Sequence, residues 1–103
     1  MRPFYWIKSR NLARMRESFK HKRFSRSLRQ GKICYLIFRD VEALDIAARS
    51  AIELGKYQQS SKYYKIAERN GITLTNHNRL YFMSELNLDS FASAFRIALS
   101  NND

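Results

Sequence analysis

The side chains best placed to do chemistry in this sequence are its cations. Arg10, Arg14, Arg16, Lys20, Lys22, Arg23, Arg26 and Arg29 crowd one short stretch, interleaved with Phe19 and Phe24. Guanidinium and ammonium groups at this density neutralise phosphates or carboxylates, and the binding they give falls with salt. These eight are the candidate contacts for nucleic acid or for an acidic partner. On a helix, Arg10, Arg14 and Arg16 would flank a stripe of Leu12, Met15 and Phe19, while Lys22, Arg26 and Arg29 would form a second ridge. The blander alternatives are a solvated face or, for an amphipathic basic helix, attachment to anionic lipid.

No reacting centre accompanies those cations. Gly31, Gly55 and Gly71 stand alone and read as helix stops, not as a phosphate-binding loop. His21 and His77 have no further ligand at metal spacing, so no metal site is expected. Cys34 lies in the apolar run Ile33–Phe38, where a buried, inert thiol is the natural reading. The expectation is a protein that is not an enzyme, with no catalytic residues, no cofactor and no small-molecule substrate. A lone cysteine excludes an internal disulfide and suits a reducing compartment. Phe4–Ile7 is too short for the apolar part of a signal peptide, and Ile33–Phe38 is far too short for a transmembrane segment. A cytoplasmic location follows as the expectation.

The charge has an address. The 103-residue chain carries a formal net charge of +10. Twelve Lys/Arg oppose the single Glu17 between Met1 and Arg39, whereas seven basic and eight acidic residues nearly cancel from Asp40 onward. Such asymmetry suggests a basic part for nucleic acid or an acidic surface. The sequence divides into a basic, mostly helical segment, 1–32, and a helical-hairpin body, 33–103, within one compact domain. Apolar residues make up 45% of the chain, enough for a core, and three Gly with one Pro leave few tight turns.

The positioning elements read as helices, giving an all-α fold: a small bundle of about five. Met1–Ile7 is expected as an irregular lead-in. A helix from Ser9 or Asn11 reaches Gln30 and stops at Gly31. Phe24 and Leu28 fall opposite Leu12, Met15 and Phe19, so that helix breaks, bends or is apolar on two sides near His21. Ile33, Ile37, Val41, Leu44, Ala48, Ala51 and Ile52 keep steps of three and four, predicting one long helix to Gly55, although Ile33–Phe38 alone also suits a strand. A helix from Tyr57 to Asn70 is closed by Gly71, with Tyr57, Tyr64 and Ala67 on one side. Asn76 lies among cap residues for a helix with Leu80, Met83 and Leu86 inward. A final helix carries Phe91, Phe95, Ala98 and Leu99.

Two stretches look alike. Tyr64-Lys65-Ile66-Ala67 aligns with Phe95-Arg96-Ile97-Ala98 at a shift of 31 residues. Small residues such as Ala47, Ala48 and Ala51 permit close helix approach, and an aromatic at Tyr64 fills the groove between hairpins. Ala51–Tyr57 through Tyr63–Ala67 resembles a tetratricopeptide (TPR) unit, with Ser60 where that family usually has alanine. The stretch Ala43–Leu86, with Gly55-Lys56-Tyr57, Tyr63-Tyr64-Lys65-Ile66-Ala67 and Asn78-Arg79-Leu80-Tyr81, is similar to small bacterial regulators of the ANR and PerC-like type. That family usually has tryptophan where Tyr81 follows here, and it carries a shorter basic leader.

The resemblance implies a bacterial, cytoplasmic modulator of transcription that binds a regulatory protein, such as an AraC-type activator or a nucleoid protein. Tyr57, Tyr63 and Tyr81 are the expected protein-partner anchors, because tyrosine buries much area at little entropic cost. Tyr64 reads as core. The alternative is direct, sequence-nonspecific DNA or RNA binding by the basic third. Ala51–Gly55 faintly echoes a helix-turn-helix, but Ser61 stands where that motif wants a buried aliphatic residue. A homodimer is compatible with this reading.

Overall fold

Five helices follow one another: α1 (Pro3–Lys20), α2 (Phe24–Phe38), α3 (Val41–Glu53), α4 (Tyr57–Arg69) and α5 (His77–Asn87), with a further helical segment at 96–99. The computed structural model describes residues 3–88 and 96–99, with side chains of α1 from Trp6 onward. All regular structure among the described residues is helical, including residues 33–38, which form the last turns of α2. No helix among them is long and apolar enough to cross a membrane.

Helix α1 starts earlier than the expected lead-in allows. Pro3 occupies its first turn, where a missing N–H costs nothing because that donor has no partner in the helix. Leu12, Met15 and, in part, Phe19 turn inward, as their spacing predicts. The helix ends at Lys20 and not at Gln30, so the change of apolar face between Phe19 and Phe24 marks a turn.

That turn is repeated thirty-three residues later. Lys22 takes a left-handed φ of 61° and Gly55 one of 72°. The N-cap residues Arg23 and Lys56 share nearly the same φ and ψ, −88° and 70° against −90° and 67°. The Arg23 N–H donates to Ser18 O and the Lys56 N–H to Ala51 O, both at 2.8 Å. One turn into the next helix, Ser27 Oγ donates to Phe24 O and Ser60 Oγ to Tyr57 O. The chain is therefore two like hairpins, α1–α2 and α3–α4, followed by α5. The shift of 31 residues rested on Phe95, which, with Phe91, lies outside the described residues. Of the expected final helix, residues 96–99 bury Ile97 while Ala98 and Leu99 are exposed.

Gly31 does not stop a helix. It lies within α2, buried against α3, where a Cβ would sit 2.9 Å from Ala43 O and 3.2 Å from Ala47 N. Only glycine lets the two backbones approach so closely. Beside this contact, the hydroxyls of Ser27 and Ser50 meet at 2.6 Å in the core. Ser60 and Ser84 make the matching pair between α4 and α5 at 2.7 Å.

The long helix from Ile33 to Gly55 is also broken, at Arg39–Asp40. Arg39 adopts φ 54° and returns its N–H to Tyr35 O, ending α2. Asp40 then caps α3, its Oδ1 accepting the Ala43 N–H at 3.2 Å. The break turns Ile33, Ile37 and Val41 outward, whereas Leu44, Ala48 and Ala51 are fully buried. The boundary expected between residues 32 and 33 falls inside α2.

In α5 the buried face is rotated from the expected one: His77, Tyr81, Ser84 and Glu85 are inside, Leu80 and Met83 are half-buried, and Leu86 is exposed. The Tyr81 ring stacks on Tyr64 with centroids 5.9 Å apart, and His77 meets both edge-on. His77 Nδ1 accepts the Leu74 N–H, which leaves Nε2–H to face Glu68 Oε2 at 3.3 Å. Asp45 secures the loop before α5 through the Thr75 hydroxyl at 2.9 Å.

Candidate functional site

Three helices build a groove that none of them shows alone. Lys32, Tyr35 and Leu36 of α2, with its C-cap Arg39, form one wall. Gln59, Lys62, Tyr63 and Ile66 of α4 form the other, and Leu44 and Ala47 of α3 lie at its floor. Its volume is about 480 Å³, and the lining is apolar within and cationic at the rim, with no carboxylate. The Arg39 guanidinium lies over the Tyr35 ring, 5.4 Å from its centroid. Leu36 at the lip is 59% exposed, and Ile33 and Ile37 extend the open apolar surface along α2.

The basic residues divide into those engaged within the fold and those left facing solvent. Arg16 forks onto Glu42 of α3, with Nε and Nη2 each 2.6 Å from a carboxylate oxygen. That bond holds the Glu42 carboxyl below its ordinary range and raises the guanidinium further. Lys8 reaches Asp40 at 3.3 Å, and Arg10 lies over the Trp6 ring. Arg16 is thus a tie between α1 and α3. Lys20 is exposed in the last turn of α1, where a cation complements the helix carbonyl end.

Arg14, Lys22, Arg23, Arg26 and Arg29 remain exposed and converge at the α1–α2 turn. Two shallow depressions meet there, of about 400 and 510 Å³, and share Arg23, Arg26 and Arg29. Arg14 reaches the first from α1, and Lys22 lines the second. Glu17 is the one acidic residue on this trough, and it is bonded to His21 at 2.8 Å.

The three candidate tyrosines part company. Tyr63 is buried on the α4 wall of the groove, and burial pushes its hydroxyl pKa up. Tyr57 is half-buried at the start of α4 and lies outside the groove lining. Tyr81 is only 1% exposed, stacked in the core, and offers no surface to a partner. Tyr64 is core, as its position suggested. Cys34 is buried, and desolvation raises its thiol pKa, which suppresses the reactive thiolate. Among the described residues no three His, Cys, Asp or Glu cluster as metal ligands would.

Sequence reasoning missed the groove because its walls come from segments about thirty residues apart. The outward apolar steps at Ile33, Leu36 and Ile37 were its one local signal. No family model, no curated protein and no solved structure matches this chain.

Proposed function

We propose that this chain is a non-enzymatic, cytoplasmic modulator of transcription that holds an acidic, amphipathic helical segment of a regulatory protein in the α2–α4 groove. The observation that carries this reading is the groove itself: an apolar floor under three cations, Lys32, Arg39 and Lys62, with no carboxylate in the lining. A helix laid in such a groove would anchor aliphatic or aromatic side chains at i, i+3 or i+4, and i+7. Its carboxylates would meet the rim, which sets orientation and association rate more than affinity. A second copy of this chain is a poorer occupant, since apposing two cationic faces repels. The regulatory setting rests on the likeness of Ala43–Leu86 to ANR and PerC-like proteins.

The reading is tested with a labelled amphipathic peptide carrying leucines on one face and glutamates on the other, against a scrambled control. The patterned peptide should bind the full chain, and Leu36→Asp or the double substitution Arg39→Glu with Lys62→Glu should weaken it at least tenfold. Equal binding of the scrambled peptide, or indifference to both variants, contradicts the reading.

A further inference from the structure

We infer that the arginine trough at the α1–α2 turn binds the sugar–phosphate backbone of duplex nucleic acid without reading its bases. This surface is separate from the groove, and the inference stands or falls independently of the one above. Arg14 approaches from α1, while Arg23 caps α2 and Arg26 and Arg29 stand on its first two turns. Both elements are packed helices, so the charges are held in place and do not swing on a tail.

The one carboxylate on the trough's lining is engaged elsewhere: Glu17 is bonded to His21. Among the described residues, none of the four trough arginines makes an ion pair. Holding like charges together costs the folded chain free energy, and a polyanion reverses the sign of that term.

The spacing favours phosphates. A helix rises about 1.5 Å per residue, so Arg23, Arg26 and Arg29 span roughly 9 Å of axis. One DNA strand offers a phosphate about every 3.4 Å of its axis, so long side chains on that span can meet two or three in succession. Guanidinium groups also match phosphate oxygens two at a time, which ammonium groups do not. Lipid is the weaker fit. The exposed apolar residues Trp6, Leu36 and Ile37 lie toward the other end of this antiparallel hairpin, and the trough holds only Phe24 and Leu54. An acidic protein would find only these two apolar side chains to anchor on, fewer than a protein interface centres on.

The experiment is fluorescence anisotropy with two 20-base-pair duplexes of unrelated sequence, titrated with the full chain between 50 and 200 mM KCl. Four to five phosphate contacts predict a slope of log affinity against log salt between about −3.5 and −4.5, alike for both duplexes. Arg23→Ala with Arg26→Ala and Arg29→Ala should reduce the steepness by about three and the affinity at least tenfold at 100 mM. Lys65→Ala, on α4 and paired with Glu85 away from the trough, should leave the slope within about half a unit of wild type. Helical circular dichroism confirms that the variants fold. A slope unchanged in the triple variant, a tenfold preference between the duplexes, or equal binding of poly-glutamate or phosphatidylserine vesicles at the same salt overturns the inference.

Discussion

Hairpins α1–α2 and α3–α4 use one turn and one serine device, yet one is strongly basic and the other nearly neutral. The shared parts are backbone and small residues: the left-handed residue at position 22 or 55, the N–H returned to residue 18 or 51, and the hydroxyl at 27 or 60. The difference in charge lies on the outer faces, where substitution is cheap, while inside, the hairpins differ in how closely their helices pack. Packing constrains the inside of each hairpin, and the outside is left free for binding. The basic segment is the first of two like units, leaning on the second through Gly31, Arg16 and Lys8.

The sharpest way to break that arrangement is at Gly31. An alanine there would put a methyl 2.9 Å from the Ala43 carbonyl oxygen, so α2 and α3 must separate. Gly31→Ala should cost about 3 kcal/mol of stability in chemical denaturation, the upper end for overpacking. The equivalent position in the second hairpin is filled by Tyr64, so the close approach belongs to the first alone.

A smaller effect separates the serine pairs. Ser50 has the Ser27 hydroxyl as its partner, so Ser27→Ala strands a fully buried hydroxyl and should cost about 2 kcal/mol. Ser84 keeps its bond to Leu80 O when Ser60 is replaced, so Ser60→Ala should cost about half as much. Equal losses in thermal unfolding would mean that the two devices are not distinguished by their partners.

How much of this was legible in the sequence follows from which contacts are local. Steps of three and four marked Leu12, Met15 and Phe19 as an inward stripe, and Gly55 marked the second turn, because those signals lie within one helix or one turn. The first turn was hidden by Lys22, whose left-handed backbone a lysine does not advertise. Gly31 read as a stop because a glycine's need for close backbone approach is set by a partner helix twelve or more residues away. Tyr81 has the residue type of a surface anchor, but its burial is set by a stack on Tyr64 of α4, which its own helix does not show. The basic site was legible as a sum of charge. Its division was not, since Glu42 and Asp40 lie 26 and 32 residues from the cations they engage.

The smallest expected effect concerns that division. Because the Glu42 carboxyl is held below its ordinary range, its contribution is present above the unfolded value and is lost as pH falls through the folded one. The pair is solvent-exposed on both sides, so Glu42→Gln should cost under about 1 kcal/mol at pH 7. Thermal midpoints taken down to strong acid should converge for the two proteins. A gap that persists in acid would show that Arg16 holds α3 by something other than charge.

The central claim is that the two hairpins support two separate surfaces, one for polyanion and one for an acidic helix. Backbone amide chemical shifts of the labelled full chain, titrated in turn with duplex and with the amphipathic peptide, test it directly. Duplex should move Arg14 and the stretch from Lys22 to Arg29, and peptide should move Tyr35, Leu36, Ala47, Tyr63 and Ile66. If both ligands shift the same residues, the molecule has one electrostatic surface and the account is wrong.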